Sequence, residues 1–310
     1  MEKITSVTSP RRGNMEVKKL GGVIAAIATP FNGRGNVDVQ GLKKLTKYVV
    51  EGGVHGIMTT GGTGEFPHLL REEKKLVTKT VVETVKGRIP VIAGTAACST
   101  MEAQLLCRDA KEAGADAVIL TPPYYFKLPD ESLFRHFKAV AQRAGLPVVV
   151  YNNPLYTGNN LSPELITRIS KIGGVIGLKQ SNPDLGQLVE VIRTAKRGFS
   201  VLTGIDSQFY PALCAGGRGI FSTAACVAPE MMVKIYEAFE KGDHEEALTE
   251  HMRLQILNRF LEYDPGYVTP CKEALKMMGL PAGPVREPLP PLTPTQKKDL
   301  RAALKKLNLV

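Results

Sequence analysis

AVILTPPYYFKLPDESLFRHFKAVAQRAGLPVVVY, residues 117–151, contains one complete unit of a repeat that runs along the chain. The unit begins with the apolar run 117–120, continues with an amphipathic segment, and ends with the apolar run 148–151. Apolar runs without alternating polar residues are typical of strands that are covered on both faces, as in parallel sheets. The stretch therefore predicts a strand, a helix and a second strand parallel to the first.

Similar units recur from Gly21 onwards, each punctuated by glycine or proline. Helix-like segments follow the apolar runs, for example at 37–51 after the first run and at 71–86 after the second. Eight such units indicate an α/β fold, a closed (β/α)8 TIM barrel of the kind that takes about 250 residues. The predicted strands are 23–28, 56–60, 91–93, 117–120, 148–151, 175–179, 201–203 and 219–221.

An open, doubly wound sheet is the structural alternative. Such a sheet usually has fewer strands and a glycine-rich dinucleotide turn directly after its first strand. The sequence has Thr29-Pro30-Phe31 at that place, which is not a GxGxxG motif. The barrel is therefore the preferred fold.

Three regions are expected along the chain. Residues 1–20 are polar and basic and predict a flexible N-terminal arm, residues 21–229 predict the barrel, and residues 230–310 predict the last barrel helix and a C-terminal helical extension. Helical patterns at 230–241, 243–262, 270–278 and 294–307 support this division. The later patterns exceed what eight βα units need.

The composition narrows the class of protein. The 310 residues carry a formal charge of +10, but basic and acidic residues are interspersed, so no nucleic-acid partner is expected. No apolar run is long enough for a membrane span, and no signal peptide is recognisable, which predicts a cytoplasmic protein without membrane contact. The 5 cysteines form no CxxC pair and the 5 histidines are scattered, so no disulfide framework and no metal site are expected.

Reactive side chains stand at the ends of two neighbouring predicted strands. Tyr151 closes the fifth strand and Lys179 closes the sixth, and active sites of (β/α)8 barrels form at this end. Burial there disfavours an ammonium ion, so we expect a neutral amine at Lys179 that can attack a ketone. A tyrosine beside it can relay the protons of imine formation. The alternative is a lysine that merely extends into solvent.

The turn Gly61-Gly62-Thr63-Gly64-Glu65 follows the second predicted strand at the same end. It lacks the Lys-Ser/Thr ending of a P-loop, so it is not a nucleotide site of that kind. Glycines permit a ligand to approach closely, and adjacent amides in such a turn can hold a carboxylate. We therefore expect a carboxylate site here, with the Thr63 hydroxyl directed towards Tyr151.

The chain resembles the dihydrodipicolinate synthase and N-acetylneuraminate lyase family in three motifs: residues 61–65, Tyr151-Asn152-x-Pro154, and Gly177-Leu178-Lys179. The resemblance covers about residues 21–281 and implies a lyase that forms a Schiff base between Lys179 and a 2-oxo acid such as pyruvate, with no other cofactor. It further implies proton transfer by Tyr151 and Thr63. It also implies a homodimer or homotetramer, in which Tyr125 would reach the neighbouring subunit's site.

Two positions depart from the pattern of dihydrodipicolinate synthases. Gly62 stands where those enzymes carry a second hydroxyl, and Tyr156 stands where an arginine binds the carboxylate of aspartate semialdehyde. Because a tyrosine lacks the charged fork of an arginine, we expect a deoxy sugar acid or a related 2-oxo acid as the substrate. The alternatives are a genuine 4-hydroxy-tetrahydrodipicolinate synthase and a non-catalytic barrel that binds a 2-oxo acid. The expected substrate-binding residues are Gly62, Gly64, Asn153, Tyr156, Gly204 and Phe221.

Overall fold

The structure is a computed structural model that describes residues 20–262 and 266–310. Apart from Leu20, the expected N-terminal arm lies outside the described residues. Leu20 is 3% exposed and belongs to the same apolar cluster as Ile24 and Ile176 inside the barrel. The barrel core therefore begins one residue before the expected boundary.

Eight parallel strands close into a barrel in chain order, from β1 next to β2 round to β8 next to β1. The predicted fold class is confirmed, and every predicted strand is present with small shifts at its ends. The strands are β1 Gly22–Ala26, β2 Gly56–Thr59, β3 Val91–Gly94, β4 Ala117–Leu120, β5 Val148–Asn152, β6 Val175–Gln180, β7 Ser200–Thr203 and β8 Gly219–Ser222.

Helices follow the strands and cover the outside of the barrel. Several begin at a side chain that caps their free amides, such as Asp38, Ser99 and Ser162, as local sequence favours. The helices are α1 Val39–Glu51, α2 Arg71–Val85, α3 Thr100–Glu112, α4 Asp130–Ala144, α5 Pro154–Thr157, α6 Pro163–Ser170, α7 Leu185–Thr194, α8 Phe209–Cys214, α9 Ala224–Val227, α10 Pro229–Glu240, α11 His244–Leu261, α12 Val268–Met277 and α13 Pro294–Lys306.

The interior of the barrel is packed with apolar side chains from all eight strands, and Tyr151 lies against this cluster at the carboxyl end. A filled interior leaves no channel along the barrel axis, so ligands have access only at the two ends. The cluster comprises Leu20, Ile24, Met58, Ile92, Ala117, Ile119, Val149, Ile176, Leu202 and Phe221.

The helices after α10 are attached to the carboxyl end of the barrel by polar contacts as well as by packing. Arg286 donates hydrogen bonds to Glu73 at the start of α2 and to the carbonyl of Gly35, and its guanidinium lies 4.2 Å from the ring centroid of Phe31. These contacts hold the C-terminal extension over the end where the site is expected. Within the described ranges, no helix combines the length and the apolar character needed to cross a membrane.

Candidate active site

Lys179 and Tyr151 are direct neighbours at the carboxyl ends of β6 and β5. The register pairs the two residues, so their side chains project to the same side of the sheet. Lys179 is 6% exposed, and its Nζ lies 4.2 Å from the ring centroid of Tyr151. The ring centroid of Phe221 lies 5.8 Å from Lys179 Nζ, so the nitrogen has two aromatic rings beside it. An amine in such a place is shielded from water and stands beside a phenol that can exchange protons.

The hydroxyl of Tyr151 is held by polar neighbours. Asn153 Nδ2 donates a hydrogen bond to Tyr151 Oη at 2.9 Å. Burial by itself raises the pKa of Tyr151, but the charge of Lys179 and the hydrogen bond from Asn153 act in the opposite direction, and the pKa of Tyr151 lies below its usual value of 10.0. A lowered pKa makes the phenol a better proton donor at neutral pH.

Asn152 fixes the ends of β5 and β6 relative to each other. Its Nδ2 donates to Gln180 Oε1 at 2.9 Å and to Asn160 Oδ1 at 3.0 Å, and its Oδ1 accepts from Leu161 N at 3.0 Å. Because these groups are buried, losing one partner would leave others unpaired at a substantial cost. Asn152 therefore positions the neighbouring Tyr151. Its role was missed from the sequence, although its place next to Tyr151 in the Tyr-Asn-x-Pro motif was a usable signal.

The turn after β2 lies at the same end of the barrel. Thr63 Oγ1 shares a hydrogen bond of 2.9 Å with Thr223 Oγ1 in the loop after β8, and not with Tyr151, towards which the hydroxyl was expected to be directed. Closure of the barrel brings the loop after β8 next to Thr63, and this contact could not be predicted from the sequence. The amide groups of Thr63 and Gly64 have no hydrogen-bond partner among the described residues. Two adjacent free amides are the arrangement that holds a carboxylate.

Two adjoining cavities open at this end. One, of ≈ 550 Å³, contains Lys179, Thr63 and Gly204, and the other, of ≈ 590 Å³, extends towards the start of α12. Their volumes are those of small-molecule sites. Residues that line both cavities are Gly62, Tyr151, Asn153, Tyr156 and Tyr267.

The other residues that the sequence predicted for the site lie in the Lys179 cavity, in the interior of the protein, or on its surface. Gly204 lines the Lys179 cavity, and a Cβ atom there would lie 2.5 Å from Lys179 Cε, so only glycine leaves the lysine its space. Gly64 faces the segment after β1, where its carbonyl accepts a hydrogen bond of 2.8 Å from Thr29, and Phe221 is buried in the barrel core. Tyr125 is 86% exposed, with a φ of 86° that side chains rarely adopt.

Two acidic side chains that the sequence motifs did not indicate, Asp206 and Glu262, line the Lys179 cavity. Asp206 accepts hydrogen bonds from Ser222 Oγ and from Ala224 N, and burial raises the pKa of this carboxyl against the opposing effect of those bonds and of Lys179. Glu262, after α11, accepts from Ser207 N at 2.6 Å. Burial, together with the negative charge of Asp206, raises the pKa of Glu262 to about 7. The cavity thus contains a carboxyl that titrates near neutrality.

A larger cavity of ≈ 740 Å³ lies at the opposite end of the barrel, between the residues that precede the strands, including His55, Arg88 and Arg218. It is remote from Lys179, and in this fold chemistry takes place at the carboxyl end. Among the described residues, no group of three or more histidine, cysteine or acidic side chains is placed to bind a metal ion.

Residues 19–307 match the sequence model of the dihydrodipicolinate synthetase family. The chain belongs to this family. The family resemblance inferred from the three motifs is thereby confirmed. Membership makes the chain an enzyme, a lyase of the class I aldolase type that works through a Schiff base, and it argues against the alternative of a non-catalytic barrel.

Relatives and solved structures of the dihydrodipicolinate synthetase family match over nearly the whole chain. The 4-hydroxy-tetrahydrodipicolinate synthase of Archaeoglobus fulgidus is 41% identical over 289 residues, which are 93% of this chain and 99% of the relative. A structure described as the first monomeric dihydrodipicolinate synthase variant is 35% identical with a TM-score of 0.90, covering 95% of this chain and 99% of that one. A prophage protein of the family from E. coli K12, solved with pyruvate, is 32% identical with a TM-score of 0.90, covering 94% and 99%.

Proposed function

We propose that Lys179 carries pyruvate as an imine and that the enzyme joins this pyruvate to an aldehyde. The amine attacks the ketone carbon, water leaves, and loss of a proton from the methyl carbon gives an enamine. The enamine carbon attacks the aldehyde carbon, whose oxygen takes up a proton, and water then releases the product from Lys179. Tyr151 moves the protons of these steps. No cofactor is needed, since the lysine itself carries the substrate.

The observation that carries this proposal is the contact between Lys179 Nζ and the Tyr151 ring at 4.2 Å. Both residues line one cavity that the packed barrel closes on one side, which supports a role for them as nucleophile and proton-transferring group. The free amides of Thr63 and Gly64 lie on the turn that borders the same cavity and suit the pyruvate carboxylate.

Aspartate semialdehyde is the aldehyde that the relatives support. Curated relatives from several organisms, 38% to 41% identical over most of this chain, are named 4-hydroxy-tetrahydrodipicolinate synthase. These names favour that reaction over the cleavage of a deoxy sugar acid, which the departures in sequence had led us to expect. A biosynthetic enzyme of this kind would act in the cytoplasm.

A deoxy sugar acid is the second candidate, and Tyr156 is the observation that favours it. Tyr156 stands at the position expected for an arginine, and it lines both cavities together with the neutral Asn153 and Tyr267. Neutral hydroxyl and amide groups suit the hydroxyls of a sugar acid, whereas the carboxylate of aspartate semialdehyde gains more from a charged partner.

Borohydride reduction in the presence of pyruvate tests the imine directly. We expect one pyruvyl adduct per chain, mapped to Lys179 by peptide mass analysis, and none in Lys179→Arg. Surface lysines remain ammonium ions at neutral pH and present little nucleophile. The exposed Lys276 serves as the control: Lys276→Arg should label like the unaltered enzyme. An adduct on another lysine, or normal turnover by Lys179→Ala, would overturn the proposal.

A further inference from the structure

The hydroxyl of Tyr267 occupies the space of the missing side chain at position 62. A Cβ atom at Gly62 would lie 2.0 Å from Tyr267 Oη and 3.1 Å from its Cζ, closer than non-bonded atoms approach. Position 62 is the place at which the dihydrodipicolinate synthase pattern has a hydroxyl. The phenol oxygen is therefore located where a side-chain hydroxyl on the turn would stand.

Tyr267 comes from a distant part of the chain, immediately before α12, and lines both cavities. Its ring packs edge-on against Tyr156, with a centroid distance of 6.0 Å and an interplanar angle of 71°. Burial, and then the proximity of Tyr151 and Tyr156, raise the pKa of Tyr267 well above 10.0. The group therefore keeps its proton at neutral pH and remains a hydrogen-bond donor beside Tyr151.

We propose that Tyr267 is a proton-relay residue whose hydroxyl replaces, within the same chain, the hydroxyl that Gly62 cannot supply. The inference rests on the proposed function. In the dehydration step the lone pair of the lysine nitrogen forms the C=N bond, and the C–O bond breaks with its electron pair on oxygen. Tyr151 protonates that oxygen, Tyr267 returns a proton to Tyr151, and solvent returns one to Tyr267. The product is the protonated imine, so one solvent proton is consumed and one water is released for each protonated imine formed.

A phenol with a raised pKa fits this role only as one member of a series of proton transfers. It is too weak an acid to hold a negative charge, so it gives its proton as it accepts another. It lines both cavities, as Tyr151 does, so the two phenols share one space that a ligand or solvent can enter. A residue that only filled the gap at Gly62 would contribute packing and stability but would not move a proton.

Paired substitutions at 62 and 267 separate these roles. Tyr267→Phe keeps the ring and should lower both kcat and the rate of borohydride-trappable imine formation by about tenfold or more, since a positioned acid or base contributes about 10²- to 10⁴-fold. Gly62→Ser alone should also lower the rate, because its side chain meets Tyr267 Oη. The double variant Gly62→Ser, Tyr267→Phe restores a hydroxyl at the same place and should recover most of the loss. Tyr236→Phe, at the opposite end of the barrel, is the control.

The outcomes distinguish the relay from the proposed function. If the unaltered enzyme traps pyruvate on Lys179 but Tyr267→Phe matches it in rate and in thermal stability, the relay is wrong and the imine mechanism stands. A double variant that is no faster than Tyr267→Phe alone also contradicts the relay, since the hydroxyl at 62 then does not replace the phenol. If pyruvate is not trapped at all, both inferences fall together.

Discussion

Lys272 Nζ donates a hydrogen bond to Glu65 Oε1 at 2.6 Å, and the two side chains are 1% and 0% exposed. Glu65 ends the turn that contains Gly62 and Thr63, with a left-handed φ of 58°. Lys272 lies in α12, four residues after the first residue of the helix, Val268. Arg286 N donates to the other carboxylate oxygen at 2.9 Å. The ion pair therefore ties the turn at the site to the C-terminal extension that carries Tyr267.

Lys272→Met should destabilise the enzyme strongly. Removing one partner of a buried ion pair leaves the other charge uncompensated, which typically lowers the free energy of unfolding by about 3–5 kcal/mol. We expect the double variant Glu65→Gln, Lys272→Met to recover part of this loss, because it leaves no buried charge. Denaturant unfolding measures both effects.

The control for this prediction is Lys276→Met. Lys276 also pairs with a glutamate, Glu273, but its side chain is 38% exposed. An exposed pair contributes about 0–1 kcal/mol, so this variant should unfold close to the unaltered enzyme. Equal losses for Lys272→Met and Lys276→Met would show that burial of the pair has no energetic consequence.

Gly204→Ala should prevent Lys179 from reaching its working position. The added Cβ would lie 2.2 Å from Ser181 Oγ and 2.5 Å from Lys179 Cε, and the packed strand ends leave little room to adjust. Trapping of pyruvate by borohydride should slow by about tenfold or more, because misplaced reacting groups lose the advantage of orientation. Gly173→Ala, which has nothing within 4 Å, should trap pyruvate normally.

The sequence predicted the barrel well because its signals are local. Each strand is a short apolar run and each helix an amphipathic one, so the pattern could be recognised unit by unit. Lys179 and Tyr151 followed from the same reasoning, since residues at the ends of adjacent parallel strands must be neighbours. The register of β5 and β6 shows them paired.

The parts of the site that depend on long-range closure could not be predicted in this way. Thr63 and Thr223 are separated by 160 positions and meet only because β8 closes on β1. Glu262 follows α11 and Tyr267 precedes α12, and the packing of these helices on the barrel cannot be recognised from a local sequence pattern. The sequence showed that Gly62 lacks a side-chain hydroxyl. Only the position of α12 in the structure shows that the hydroxyl of Tyr267 occupies that space.

Glu262 should give the reaction a pH dependence near neutrality. Its pKa rises from 4.5 to about 7, so the carboxyl is protonated in the folded enzyme below that pH and charged above it. A negative charge in the cavity repels the pyruvate anion, and kcat/KM for pyruvate should therefore fall as the pH rises through about 7.

Glu262→Gln should abolish that decline, which a pH profile of kcat/KM measures. The raised pKa also affects the free energy of unfolding, because the folded state binds the Glu262 proton more tightly than the unfolded chain does. The stabilisation from this group is fully present below pH 4.5 and is lost as the pH rises to about 7. The variant should flatten the pH dependence of unfolding in this window. An unchanged profile in both measurements would mean that Glu262 does not titrate there.

Tyr125 should be covered by a neighbouring subunit in solution. It is 86% exposed, packs edge-on against the exposed Phe126 at 4.9 Å, and has a φ of 86°, a combination that costs energy in an isolated chain. We expect sedimentation to show a dimer or tetramer, and Tyr125→Phe to lower turnover while leaving the pyruvate imine detectable. A monomer with full activity would exclude a shared site.

Tyr156→Arg should reveal which aldehyde the enzyme uses. Tyr156 is 59% exposed and stands beside Tyr267 at the mouth of the Lys179 cavity. An arginine there can form paired, charged hydrogen bonds to a carboxylate, worth about 1.5–3 kcal/mol when shielded and less at this exposure. We therefore expect KM for aspartate semialdehyde to fall by about tenfold, with a smaller effect in Tyr156→Lys, which lacks the planar fork. The unaltered enzyme should condense pyruvate with aspartate semialdehyde, although with a high KM. If it instead cleaves a 2-oxo-3-deoxy sugar acid efficiently and Tyr156→Arg lowers that rate, the second candidate replaces the first.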